Sequence, residues 1–308
     1  MKNQNQAVIE VADLVKEYPT IRAVDGLSFK VHQGEIFGMV GPNGAGKTTT
    51  IECIEGLRKP DQGQIRVLGL DPQKDRAALR EQIGVQFQSA ALPDHIKVWE
   101  VLDLFAAFYK NPLDWRQLLA KMDLEEKRND YVNKLSGGQE QRVFIALALI
   151  GSPQIVFLDE LTTGLDPQSR RAMWDLVREI QAQGKTVYLT THFMEEAERL
   201  CDRVAIVDHG KIVALDTPIN LIQSMGEESR VVFETDGAFK AELLSSLPGV
   251  TRVERISERI LVYGKKDGLT GLVVNTLESA GVQFNNLHSE TPTLEDVFLK
   301  LTGKEIRE

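Results

Sequence analysis

Residues 35–55, EIFGMVGPNGAGKTTTIECIE, decide the reading of this chain. A short aliphatic run is followed by Gly41-Pro42-Asn43-Gly44-Ala45-Gly46-Lys47-Thr48-Thr49 and then by a helical pattern: strand, glycine-rich turn, helix. The glycines are needed because the backbone must curl tightly to aim several N–H groups at one phosphate chain, along a path that a Cβ would obstruct. Lys47 brings a positive charge for the β- and γ-phosphates. Thr48 brings a hydroxyl for Mg²⁺, a hard cation that prefers oxygen. The stretch predicts a P-loop holding a nucleoside triphosphate.

On either side of it, β-branched or aliphatic runs alternate with helical patterns from about Ala7 to Leu215, which predicts an α/β domain with a mostly parallel sheet. Runs 36–40, 155–158, 187–190 and 204–207 read as buried strands. One helix is well marked: Asp166 can cap it and Pro167 suits its first position. Met173, Leu176, Val177 and Ile180 form its apolar stripe, and Gly184 ends it. His209-Gly210 reads as a hairpin turn. After Thr217-Pro218 the rhythm changes to strand 229–234, helix 238–245, strands 250–256 and 260–263, helix 269–280 and strand 282–287. This order predicts a small ferredoxin-like α+β domain over 218–308, closed by a helix at 294–301.

Residues 155–160, IVFLDE, form an apolar strand ending in two carboxylates. Beside a P-loop, Asp159 is placed to hold Mg²⁺ through water, and Glu160 to orient or deprotonate an attacking water. The chemistry this predicts is phosphoryl transfer to water. His192 follows TVYLTT at the edge where ligands gather in a parallel sheet. A glutamine such as Gln88 is by default a solvated strand end, and Tyr18 a strand aromatic packed on the core. A second turn of phosphate-cradling character, LSGGQEQR at 135–142, opens another helix.

A chain of 308 residues with 42% apolar content can bury a sizeable core. Its net charge of -9 and pI near 5.3 argue against a coat on nucleic acid or on an anionic membrane. Two widely spaced cysteines, Cys53 and Cys201, suggest neither a disulfide framework nor a zinc site, and fit a reducing cytoplasmic compartment. No run has signal-peptide or membrane-span character, so work at a membrane requires another polypeptide to cross it.

Taken together, these residues resemble the ATP-binding subunits of ABC transporters over about residues 7–217. The family's elements occur in order: Tyr18 in the place of the adenine-stacking aromatic, the P-loop, a Q-loop at Gln88 and the LSGGQ signature at 135–139. The Asp159-Glu160 pair, a D-loop at Gly164-Leu165-Asp166 and a switch histidine at His192 follow. The resemblance implies a P-loop ATPase domain over 1–217 with a helical subdomain at about 89–150. It implies ATP held by Tyr18, Gly41, Asn43, Gly44, Ala45, Gly46, Lys47, Thr48 and Thr49, with Mg²⁺ held by Thr48, Gln88 and Asp159. Glu160, His192 and Gln88 would serve hydrolysis. Ser136, Gly137, Gly138 and Gln139 would complete the site of a second copy in a head-to-tail dimer.

Also implied are a separate membrane-spanning permease, a position on the cytoplasmic face of the membrane, and no nucleic-acid partner. The tail PTLEDVFLKLTG at 292–303 is similar to that of prokaryotic drug, antibiotic or polysaccharide exporters. Leu92, Trp99 and Leu102 are candidates for a groove that receives the permease's coupling helix. One departure stands out: Glu160-Leu161-Thr162 replaces the family's Glu-Pro-Thr, and leucine restores an N–H and frees φ, which predicts a less rigid loop. The short gap between P-loop and signature, without heptads, and the single cassette argue against relatives acting on chromosomes or ribosomes.

Overall fold

An antiparallel pair, β1 (Ala7–Tyr18) and β2 (Ile21–His32), precedes β3 (Ile36–Val40), whose five residues are all buried. The structure, a computed structural model, describes residues 6–86, 92–224, 228–235, 241–265 and 268–303, and divides into two units between Pro218 and Ile219. In the first unit β3 is followed by α1 (Lys47–Ile54), β4 (Gln62–Val67), α2 (Arg76–Arg80) and β5 (Ile83–Gln86). Three helices come next, α3 (Val98–Ala106), α4 (Trp115–Lys121) and α5 (Gly137–Leu149). The unit ends with β6 (Ile155–Asp159), α6 (Pro167–Ala182), β7 (Thr186–Thr191), α7 (Met194–Leu200), β8 (Arg203–Asp208) and β9 (Lys211–Asp216).

The main sheet has six strands in the order β5-β6-β7-β3-β8-β9, parallel except for β9. β9 returns through His209 and Gly210, both left-handed at φ 47° and 75°, the conformation that a tight hairpin turn needs. A second sheet, β2-β1-β4, is antiparallel. Register explains why the central strands stay level. Phe37 of β3 pairs with Tyr188 of β7, which pairs with Phe157 of β6, and the three rings pack side by side at 5.6 Å spacings. Phe29 of β2 stacks on Phe37 at 5.4 Å, so the same aromatic row joins the two sheets. Each of these strands therefore ends at the same edge of the sheet.

α6 begins where Asp166 accepts hydrogen bonds from the backbone N–H groups of Gln168 and Ser169, both at 3.0 Å, with Pro167 in its first turn. Met173, Trp174, Leu176, Val177 and Ile180 are its buried face. Leu102 of α3 is fully buried. It is core, not groove lining, because Val98, Val101 and Leu102 form the one apolar face with which α3 packs. Leu92 and Trp99 are half-buried, while Leu104 and Phe108 are the exposed apolar side chains of this region.

The second unit comprises α8 (Pro218–Gln223), β10 (Glu228–Glu234), α9 (Glu242–Ser245), β11 (Val250–Ile256), β12 (Arg259–Lys265), α10 (Leu269–Ser279), β13 (Asn285–Glu290) and α11 (Leu294–Thr302). Its sheet order, β11-β12-β10-β13, is antiparallel throughout. The split β-α-β arrangement has this order. Val231, Phe233, Ile260 and Val262 pack on Leu244, Leu269, Val273 and Leu277 as a core of their own. The helix expected at 238–245 is described only as one turn, 236–240 lying outside the described residues. The last strand runs 285–290 rather than 282–287. Val282 and Phe284 pack on the core directly after Gly281 turns the chain, before pairing with β10 begins, so the most apolar stretch is not the strand.

Candidate functional site

The P-loop follows β3 and wraps the start of α1. Gly46 sits at φ 102°, and a Cβ there would lie 2.3 Å from the Ala23 carbonyl oxygen. A Cβ on Gly41 would lie 2.1 Å from the Val207 carbonyl oxygen. The loop is braced from outside as well: Gly210 donates to the Ala45 carbonyl at 3.0 Å, and Asp25 N–H to the Gly210 carbonyl at 2.8 Å. The β8–β9 turn thus supports the glycine-rich loop. Asn43, Gly44 and Thr48 face solvent, Thr49 is half-buried, and Ala45, Gly46 and Lys47 are buried.

Lys47 is 4% exposed and donates to the carbonyls of Gly41 at 2.8 Å and Pro42 at 3.1 Å. Its ammonium lies 3.7 Å from the Glu160 carboxylate. Burial lowers its pKa below the usual lysine range, while Glu160 and Asp159 pull the other way. Burial raises the pKa of Asp159, against the bond donated by Thr190 and the nearby Lys47 and Thr48. Thr48 and Asp159 therefore set two hard oxygen donors side by side.

Glu160 leaves β6 in the left-handed region, φ 50°, unusual for a side chain of this size. Its N–H donates to the Thr190 carbonyl at 3.1 Å, and the Thr163 hydroxyl donates to its carboxylate at 3.4 Å. His192, just beyond β7, places Nδ1 3.5 Å from Glu160 Oε1, and this buried nitrogen has no hydrogen-bond partner among the described residues. Lys47, Thr48, Asp159, Glu160 and His192 are thus gathered at the C-terminal edge of β3, β6 and β7, where parallel sheets bind ligands. Gln88 lies outside the described residues. Tyr18 is half-buried, with the Arg58 guanidinium 5.4 Å and the Lys16 ammonium 5.8 Å from its ring centre.

The signature turn is built differently. Ser136 and Gln139 form a reciprocal cap at the start of α5: Gln139 N–H reaches the Ser136 hydroxyl at 3.4 Å, and Ser136 N–H reaches the Gln139 amide oxygen at 3.0 Å. Ser136 and Gly137 are exposed, so the positive end of α5 faces outward. Atoms placed as Cβ on Gly137 and Gly138 would meet Leu165 at 3.5 Å and Ser169 at 3.0 Å, which seats the turn on the D-loop and the first turn of α6. Gln141 donates its amide to the Leu161 carbonyl at 2.8 Å, and the Leu161 side chain is 3% exposed. In place of a proline ring, packing and this bond anchor the loop after Glu160.

Sequence reasoning passed over Thr190, Gln141 and Glu196. Thr190 bonds Asp159, and Glu196 is a carboxylate 2% exposed on α7. The signal was present for Glu196, which lies four residues before Leu200, on the inward side of a short amphipathic helix.

The family model described as "ABC transporter" matches residues 24–163. The chain is 39% identical over 317 residues to the Nod factor export ATP-binding protein I of Sinorhizobium fredii, covering 100% of this chain and 89% of that protein. It is 37% identical over 307 residues to a daunorubicin resistance ATP-binding protein of Streptomyces coeruleorubidus, covering 97% of each. Among solved structures, a dimeric ATP-binding cassette in a post-hydrolysis state with ADP and Pi aligns with a TM-score of 0.62 at 27% identity, covering 68% of this chain and 98% of that one. Family model, relatives and fold agree, and the chain belongs to the ATP-binding subunits of ABC transporters, which are ATPases.

Proposed function

We propose that this protein is the motor of an exporter: two copies bind two ATP molecules head to tail, close, hydrolyse and reopen, driving a separate membrane-spanning permease. The observation that carries this reading is the division of the site. One edge of the sheet gathers Lys47, Glu160 and His192, whereas the exposed signature turn sits on the D-loop of the same chain with its helix N-terminus facing outward. A phosphate held by Gly41–Thr48 of one copy would meet Ser136, Gly137, Gly138 and Gln139 of the other.

The steps follow from the side chains. Lys47 exchanges its loop carbonyls and the Glu160 contact for phosphate oxygens, and Tyr18 stacks on adenine. Glu160, freed from the ammonium, takes a proton from the attacking water, and His192 Nδ1 or Nε2 contacts the γ-phosphate. Gln88 would sense the permease and reach the metal and the water. No group of three or more His, Cys, Asp or Glu among the described residues could hold a metal alone. Thr48, Asp159 and Gln88 with phosphate oxygens would hold Mg²⁺, which neutralises charge developing on the phosphates.

No helix among the described residues is long and apolar enough to cross a membrane. A permease partner would place the protein on the cytoplasmic face. Exposed Leu104 and Phe108, 49% and 67% accessible, supply apolar surface for that partner. Export as the direction is supported by the name of the Nod factor export relative. No nucleic-acid partner is proposed for a chain of net charge -9.

Glu160→Gln is expected to cut ATP hydrolysis by roughly a hundredfold or more and to run as a dimer on gel filtration with ATP and Mg²⁺. A variant that stays monomeric at saturating ATP would sink the head-to-tail model. Lys47→Ala is expected to lose nucleotide binding itself, read by fluorescent-nucleotide titration.

A further inference from the structure

Glu196 has no part in the steps above, yet it is a carboxylate at 2% exposure in the first turns of the helix that follows His192. Burying a carboxylate is costly unless it is bonded and compensated, so its surroundings are informative. The Trp174 indole N–H, from α6, donates to its Oε1 at 3.0 Å. The hydroxyls of Thr191 and Thr162 lie beside it and favour its charged form, against burial, which raises its pKa. Thr191 directly precedes His192, and its hydroxyl also accepts the Phe193 N–H at 3.0 Å. Thr162 is two residues after Glu160, fully buried, and its hydroxyl completes no hydrogen bond among the described residues. Arg170 adds positive charge toward Glu196 while its guanidinium lies 4.4 Å from the Phe193 ring centre, and its buried Nε also lacks a partner among the described residues.

Four segments thus meet at one carboxylate: the loop after Glu160, the end of β7 before His192, α6 and α7. We propose that Glu196 is a positioning residue: bonded to the Trp174 indole of α6, it holds the turn at His192 through the neighbouring Thr191 and packs beside Thr162, so that the loop after Glu160 and the turn at His192 stay in register. Glu196 touches no reacting atom. Its effect is to keep the left-handed turn at Glu160 and the turn at His192 from drifting apart. The two incompletely bonded groups, Thr162 and Arg170, give the cluster room to tighten when the D-loop is pressed by a second copy. The inference rests on the roles given above to Glu160 and His192.

The test uses the full chain in a background where Trp99 and Trp115 are phenylalanine, so that Trp174 is the sole indole; that background is the reference. Glu196→Leu is expected to lower kcat about tenfold or more, with KM for ATP within about threefold, since misplacing a catalytic group by an ångström is costly while binding contacts survive. Trp174 emission should shift as its N–H loses the carboxylate. Glu196→Gln, which keeps an oxygen for the indole, should recover most of the lost rate, and Thr191→Val should repeat the kcat loss even if Glu196→Leu does not fold. Folded Glu196→Leu and Thr191→Val proteins with kcat within about twofold of the reference would overturn the proposal, as would Glu196→Gln no better than leucine. Glu160→Gln in parallel separates the failures: if it alone keeps its activity, the roles of the catalytic pair are wrong rather than the brace.

Discussion

Glu55 is the residue at which burial acts most openly on charge. It ends α1, 8% exposed, and burial, followed by the charges of Asp159 and Glu52, pushes its carboxyl up to about 9. The ordinary value is 4.5, so between the two the folded protein holds a proton that the unfolded chain has released. Stability from this group is fully present below the lower value and is lost as pH rises toward the upper one. Urea unfolding at pH 6 and pH 8.5 should show the wild type losing on the order of 1 kcal/mol per pH unit from this source, and Glu55→Gln should be flatter over that window. Equal slopes for the two proteins would rule it out. The same physics explains why Lys47 is held among carbonyls and carboxylates: an ammonium at 4% exposure needs them.

Elements carry these side chains to one place. The row Phe37, Tyr188 and Phe157 keeps β3, β7 and β6 level, so residues three to four positions on share an edge. α6 depends on its cap: Asp166 takes two backbone N–H groups and the Ser169 hydroxyl, and Ser169 is the residue on which Gly138 rests. Asp166→Ala should cost about 1 kcal/mol of stability by thermal or urea unfolding. It should also loosen the seat of the signature turn, lowering ATPase activity more than nucleotide affinity. The C-terminal PTLEDVFLKLTG is a helix with both ends specified. Thr293 and Asp296 form its capping box, Gly303 ends it at φ 68°, and Arg230 reaches Asp296 at 3.0 Å. The tail is a rule for starting and stopping one helix.

At the scale of the molecule, two separate cores stand out. One runs under the sheets of the first unit around Phe29, Phe37, Phe157 and Tyr188, and the other lies around Phe233 and Val262. Neither cluster draws on the other's strands. A chain of residues 1–217 is expected to fold cooperatively and to hydrolyse ATP, measured by circular dichroism and phosphate release. An insoluble product would show that the second unit is needed to complete the first. The second unit is proposed as an accessory domain, outside the chemistry, because every residue assigned to ATP lies before 218.

The sequence alone determined what is local: the glycine-rich turn between β3 and α1; the cap and proline that start α6; the His209-Gly210 turn; and the two carboxylates closing β6. Each of these is specified by residues within a few positions of one another, so spacing and side-chain type suffice to read it. Tertiary structure decided what joins distant segments. That Gly210 braces Ala45, that Gln141 holds the carbonyl after Glu160, that Leu102 is core, and that Glu196 gathers four segments are contacts between residues 20 to 165 positions apart or choices between faces of a helix. Local pattern carries no record of such pairings, because burial and hydrogen bonding are settled only when the whole chain competes for the same interior.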